Sequence, residues 1–165
     1  MSVLIENEHN YQFDFDYEKI AKEVAVTTLA IEECPYETEI NINLVDDEEI
    51  RGINKEFRDI DSPTDVLSFP MLEFPKPANY DILKSDDAPY FNPDSGELLL
   101  GDIVISIPAV MRQAKEYEHG VKREYAFLLT HSMLHLLGYD HLDKQEAKVM
   151  DEKQEEVLTK LQITR

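Results

Sequence analysis

Leu98-Leu99-Leu100-Gly101-Asp102-Ile103-Val104-Ile105-Ser106-Ile107-Pro108 is the pivot of the chain. Up to Ile107 the run is strongly apolar, which predicts a strand interrupted at Gly101-Asp102. A glycine inside a strand most simply lets it bend or approach another backbone closely. Pro108 suits the first turn of a helix, where its missing N–H costs nothing, and predicts one running to about His119. Gly120 separates it from another helix over about Val121 to Leu137, which Gly138 stops as a left-handed C-cap. Asp143 starts a last amphipathic helix, with Ala147, Met150, Val157 and Leu161 as candidate apolar positions.

Upstream of the pivot, residues 3–9 read as a short strand. Asp16 can cap a helix to about Glu33, with Ile20, Val24, Thr27, Thr28 and Ile31 near helical spacing. From Thr38 to Val45 the chain alternates Ile40, Ile42 and Leu44 with Glu39, Asn41 and Asn43, the pattern of a half-buried strand. Asp46 or Asp47 caps a second helix through about Arg58, with Ile50, Ile53 and Phe57 on one face. Pro63 breaks the chain, and Asp65 to Phe69 reads as a strand. Residues 73–97 contain Pro75, Pro77, Pro89 and Pro93 and form an irregular excursion, not a domain boundary, because both flanks are strand-like. No internal repeat is present. Strands come first and helices crowd the end. The expectation is an α+β fold over residues 1–165: one layered domain with a small mixed sheet of about four strands and about five helices.

A length of 165 residues with 42% apolar residues suffices for one sizeable core. No apolar run is long enough to span a membrane, and the acidic N-terminus does not resemble a signal peptide. Cys34 is the lone cysteine and reads as a small, buried apolar residue. These features point to the cytoplasm. A net charge of −19 argues against a generic nucleic-acid binder, including a DNA binder. It leaves room for an enzyme acting on RNA through local positive charge, part of it supplied by a divalent metal.

The chemistry concentrates in His131-Ser132-Met133-Leu134-His135-Leu136-Leu137-Gly138-Tyr139-Asp140-His141. Residues four apart share a helix face, so His131 and His135 can aim at one point. The turn at Gly138 lets His141 curl back to it. Three neutral imidazoles suit one zinc ion and leave a fourth position open for catalysis. A structural zinc is disfavoured because no cysteine lies nearby. His9 and His119 fall outside the arrangement and read as polar surface residues. The spacing also matches zinc peptidases, but those carry a Glu base directly after the first histidine. Here that place holds Ser132, which cannot accept a proton from water near neutral pH. Asp140 beside His141 could in principle act as a base, but it reads more simply as a turn residue or a hydrogen-bonding support for a ligand.

The segment His131 to His141 resembles the signature of the YbeY endoribonuclease family, His-Gly-x-Leu-His-Leu-x-Gly-Tyr-Asp-His, departing only at Ser132. Asn54-Lys55-Glu56-Phe57-Arg58-Asp59-Ile60-Asp61-Ser62-Pro63-Thr64-Asp65-Val66-Leu67-Ser68-Phe69 and Leu100 to Ser106 resemble the same family, in the same order. The resemblance implies a metal-dependent endoribonuclease acting on single-stranded RNA. Its implied work is maturation of the 3′ end of small-subunit ribosomal RNA and ribosome quality control, with the small subunit and its proteins as partners. It implies that His131, His135 and His141 bind Zn2+ and that Arg58 falls on the family's arginine implicated in activity. From chemistry alone, an exposed arginine paired with Asp59 or Asp61 is the simpler reading of Arg58. A metal-stabilised ribosome-assembly factor that does not cut RNA is the alternative from another class, and a zinc peptidase a more distant one.

Overall fold

A computed structural model of the chain describes residues 1–84 and 89–163. Within them the order is β1 (Ser2–Glu6), α1 (Tyr17–Ile31), β2 (Thr38–Val45), α2 (Asp47–Arg58), β3 (Val66–Pro70), a short 3-10 turn (Tyr80–Lys84), β4 (Leu98–Ser106), α3 (Ile107–Glu116), α4 (Val121–Leu136) and α5 (Lys144–Lys160). The expected count of four strands and five helices holds among the described residues, and residues 85–88 of the excursion lie outside them.

The helix starts follow from their capping side chains. Asp16, Asp46, Ser106 and Asp143 each accept a backbone N–H from the first turn of the helix they precede. At α2 this is a full capping box, with the Glu49 carboxylate accepting from the Asp46 N–H. Two expected boundaries move. The first strand stops at Glu6 rather than residue 9, because Asn7 turns the chain: its side chain accepts from Tyr11 N–H at 2.9 Å, and Asn10 takes a positive φ of 54°. The pivot strand gives way at Ser106, whose hydroxyl caps α3.

The strands pair in the order β1-β2-β4-β3. β1, β2 and β4 are parallel, and β3 runs antiparallel along β4 as an edge. Strands and helices therefore alternate as far as β4, and only the last three helices follow without strands between them. Parallel neighbours need a crossover, and α1 supplies the one between β1 and β2. Ile40, Ile42 and Leu44 of β2, with Leu98, Leu100, Ile103 and Ile105 of β4, bury one face of the sheet in the main core with residues of α1 and α4. The other face carries a smaller cluster in which Val45, Leu67 and Val104 meet Ile50 of α2. Ile53 packs beside this cluster, but Phe57 does not share its burial. Phe57 is 64% exposed and meets only the edge of the Phe69 ring, at 5.5 Å between centroids.

Gly101 explains the break in the pivot. Pairing of β2 with β4 skips Leu100, a bulge, and Gly101 takes φ +149°. A Cβ there would stand 2.4 Å from the Phe69 carbonyl oxygen and 2.8 Å from Cδ2 of Leu136. The glycine thus lets β4 touch both β3 and the helix that carries the histidines. Gly101→Ala should destabilise the fold by about 1–3 kcal/mol through overpacking and backbone strain, read as a lower urea midpoint. An unchanged midpoint would refute this packing account.

Candidate metal centre

α4 places His131 and His135 one turn apart, with Nε2 atoms 3.0 Å from each other. The helix ends at Leu137, and Gly138 takes φ +98°. The reversal is closed by Tyr139 N–H donating to Leu134 O at 3.0 Å and Gly138 N–H to His135 O at 3.0 Å. His141 returns so that its ring centroid lies 5.5 Å from that of His131 and 5.3 Å from that of His135. One ligand nitrogen from each of the three lies within 4.8 Å of the others, a group that could hold one metal ion. Gly138 is constrained twice, because a Cβ there would stand 2.9 Å from Cβ of Phe74 in the 73–97 excursion. That excursion is fastened to the same helix end by Ala78 N–H donating to Leu137 O at 2.9 Å.

The rings are held by their other nitrogens. His135 Nδ1 lies 2.9 Å from the Tyr139 carbonyl oxygen, which only accepts, so Nδ1 carries the proton and Nε2 keeps its lone pair. The Tyr139 hydroxyl donates at 2.6 Å to Glu32, a buried carboxylate also paired with Lys153 at 3.0 Å. Burial pushes that hydroxyl up to about 12, so it stays a donor at neutral pH. On the other side, the Gln154 amide of α5 lies 3.4 Å from His131 Nδ1, while Gln154 Oε1 is buried without a partner. A half-turn of the carboxamide fits the same volume and places the oxygen against Nδ1–H. It satisfies the orphaned oxygen and leaves His131 Nε2 free to bind metal. Burial and then the neighbouring His135 ring hold His131 down to about 4, and burial lowers His135 as well. Both imidazoles are neutral near pH 7, the state a metal ligand requires.

The histidines line a cleft of about 870 Å³ together with Arg58, Asp65, Ser68, Glu73, Phe74 and Asp140. Arg58 closes α2, stopped by Asp59 in the left-handed region at φ 56°. It is exposed, and among the described residues it makes no ion pair. Asp61, one of its two expected partners, is held instead by Arg51 at 2.8 Å, with Lys55 at 4.0 Å. Asn54 anchors the following turn by donating to Ser62 O at 2.9 Å. The other described arginines each hold a carboxylate: Arg51 with Asp61, Arg112 with Asp47 and Arg123 with Glu155.

Ser132 is fully buried and does not line the cleft, so its position offers no base to it. Asp140 accepts the His141 N–H at 2.8 Å and is a turn residue. His9 is exposed as expected and pairs with Glu49. His119 departs from expectation: its side chain is 7% exposed, and its Nε2 lies 2.6 Å from buried Glu124 across the α3–α4 turn. Cys34 is half-buried, and burial pushes its thiol up. Tyr139, Gln154 and the Glu32–Lys153 pair escaped the sequence reading. Only Gln154 left a signal, a polar residue on the apolar stripe of α5 four residues after Met150.

Gln154→Leu removes the acceptor for His131 Nδ1–H at nearly constant volume. It should weaken zinc affinity by roughly 10- to 100-fold, as losses of such supports typically do. Gln154→Glu should keep it. Competition with a chromophoric chelator reads both. Equal affinity in Gln154→Leu and the unaltered protein would contradict the assigned orientation.

The comparisons with known proteins fall on the same chain. The family model described as Endoribonuclease YbeY matches residues 4–162. Proteins named Endoribonuclease YbeY from Agathobacter rectalis and Lachnoclostridium phytofermentans are 54% and 52% identical over 165 residues, covering all of both chains. One from a Thermoanaerobacter strain is 42% identical, again over full length. A solution structure from Thermotoga maritima superposes with a TM-score of 0.57 at 23% identity, covering 98% of this chain and 92% of its own, and speaks to the fold alone. With the match spanning the histidine segment, the Arg58 stretch and the Gly101 strand together, the chain belongs to the YbeY endoribonuclease family.

Proposed function

We propose that this protein is a zinc-dependent endoribonuclease that cuts single-stranded RNA, with His131, His135 and His141 as the metal ligands and Arg58 as the phosphate clamp. The observation that carries the reading is the cleft itself, where three convergent imidazoles share one cavity with an arginine that has no carboxylate partner among the described residues. Family membership supports the endoribonuclease activity.

In-line attack on a phosphodiester builds negative charge on the phosphoryl oxygens. A guanidinium can meet two of these oxygens with a forked, charge-assisted contact. An ion held by the three imidazoles would supply Lewis-acid polarisation at the same phosphate. Arg58 sits at the C-terminal end of α2 and is committed to no acid among the described residues, so within them it can make that contact without first breaking an ion pair. The position directly after the first histidine, where a zinc peptidase carries its glutamate base, holds the buried Ser132 and offers the cleft no carboxylate. This lowers the peptidase alternative.

The biological setting we infer is late maturation of the 3′ end of small-subunit ribosomal RNA and ribosome quality control, in the cytoplasm, a reading that family membership supports. A chain of net charge −19 attracts free RNA weakly. Docking on the small subunit through one of its proteins would bring RNA to the cleft. No helix of the described residues is long and apolar enough to cross a membrane.

Chelation should abolish cutting of a single-stranded RNA, and added zinc should restore it. Arg58→Ala should lower kcat by about 10²- to 10³-fold, the scale for losing one donor to a developing oxyanion, with zinc content unchanged. Intact RNA after incubation with folded, zinc-replete protein would overturn the enzymatic reading in favour of a non-cutting assembly factor.

A further inference from the structure

β3 lies at the edge of the sheet, and its bonding to β4 uses alternate residues only. Ser106 N–H donates to Asp65 O at 2.8 Å, and Met71 N–H to Leu100 O at 3.1 Å. With Val66 opposite Ile105 and Pro70 opposite Gly101, these two bonds fix the phase of the ladder. Asp65, Leu67, Phe69 and Met71 face β4, while Val66, Ser68 and Pro70 turn their backbone polar groups outward.

The outward groups are not the usual repeating template of a strand edge. Val66 N–H is already taken by the Asp65 carboxylate at 2.8 Å, and Pro70 has no N–H. One outward donor remains, Ser68 N–H, flanked by the carbonyls of Val66, Ser68 and Pro70. A second protein strand would need donors at alternate positions and finds one. A phosphate would meet three carbonyl dipoles around a single N–H. The complement of Ser68 is a group that donates and accepts side by side.

The position of this edge says what passes it. Arg58 belongs to α2, which packs on one face of the sheet, and the histidines belong to α4, on the other. Both line one cleft together with Val66, Leu67, Ser68 and Pro70, so the cleft wraps around the β3 edge. A nucleic-acid strand that reaches from Arg58 to the histidines crosses Ser68. Phe74 lines the same cleft.

We propose that the free edge of β3 seats an unpaired nucleobase of the substrate, with Ser68 N–H donating to its Watson–Crick edge and Ser68 C=O accepting from it. That edge is available in a single strand and consumed in a duplex, so the strand edge itself selects unpaired RNA. This inference rests on the endoribonuclease reading and names the subsite that reading lacks.

The test uses full-length, zinc-loaded, 15N-labelled protein and a 2′-O-methyl oligonucleotide, presented as a single strand, as a duplex and as an abasic single strand. The Ser68 amide resonance should move on saturation with the single strand and stay in place with the other two. A shift that persists with the abasic strand would assign the contact to the sugar–phosphate backbone and overturn the base-edge proposal. Ser68→Pro deletes the outward N–H at an edge position where proline is tolerated, as Pro70 already is. It should weaken single-strand binding about tenfold, the weight of one neutral hydrogen bond, with zinc content and melting midpoint retained. A folded Ser68→Pro variant with undiminished binding also overturns the proposal, and if that variant does not fold, the amide shift decides. Should the unaltered protein cut RNA while Ser68 stays unmoved, only the edge subsite fails. Should it neither bind nor cut, the parent reading fails with it.

Discussion

The reversal of the chain at Gly138 is the constraint on which the rest of the site depends. At φ +98° it ends α4 after His135, turns the chain back and lets His141 meet the two helical histidines. The same turn presents the Tyr139 carbonyl to His135 Nδ1, so the geometry that brings in the third imidazole also sets the tautomer of the second. It exposes Leu137 O to Ala78 N–H and leaves just enough room for Phe74, tying the proline-rich excursion to the wall of the cleft. The Tyr139 hydroxyl carries the constraint further, through Glu32 and Lys153, into α1 and α5. A side chain at residue 138 would strain all of these together.

Electrostatics gives the site its second half. In a chain with 35 acidic and 16 basic residues, an arginine without a carboxylate partner among the described residues is unexpected. Arg51, Arg112 and Arg123 show the ordinary outcome, each engaged with an acid. Arg58 escapes because Asp59, its neighbour, is in the left-handed region that stops the helix, and because Arg51 and Lys55, from earlier turns of α2, engage Asp61. The local sequence thus engages Asp61 elsewhere and leaves Arg58, without an ion pair among the described residues, lining the cleft with the histidines.

Much of this was legible in the residues. Capping side chains are local, so Asp16 and Asp143 marked helix starts correctly, and of the two candidates for the second helix the structure uses Asp46 rather than Asp47. The period-two alternation of residues 38–45 marked β2 to the residue. The histidine spacing and Gly138 predicted a convergence that depends only on one helix and its turn. What depended on distant packing was not legible. The antiparallel edge position of β3 follows from long-range pairing, which no local pattern carries, whereas the crowding of three helices after the last strand was legible. His119 looked like surface because its partner, Glu124, belongs to the next helix. Phe57 fits the apolar spacing of α2 yet lies mostly in solvent beyond the small cluster it was expected to join. Gln154 meets His131 across 23 residues of sequence, which no local pattern reveals.

The central claim, that one metal is held by three imidazoles, is tested most directly by X-ray absorption spectroscopy at the zinc edge on purified, zinc-reconstituted protein of known metal content. The account predicts one zinc per chain with three nitrogen scatterers at about 2.0–2.1 Å carrying the outer-shell signature of imidazole, and a light fourth ligand. Sulfur in the first shell, fewer than three imidazoles, or a chain that takes up no zinc would contradict it.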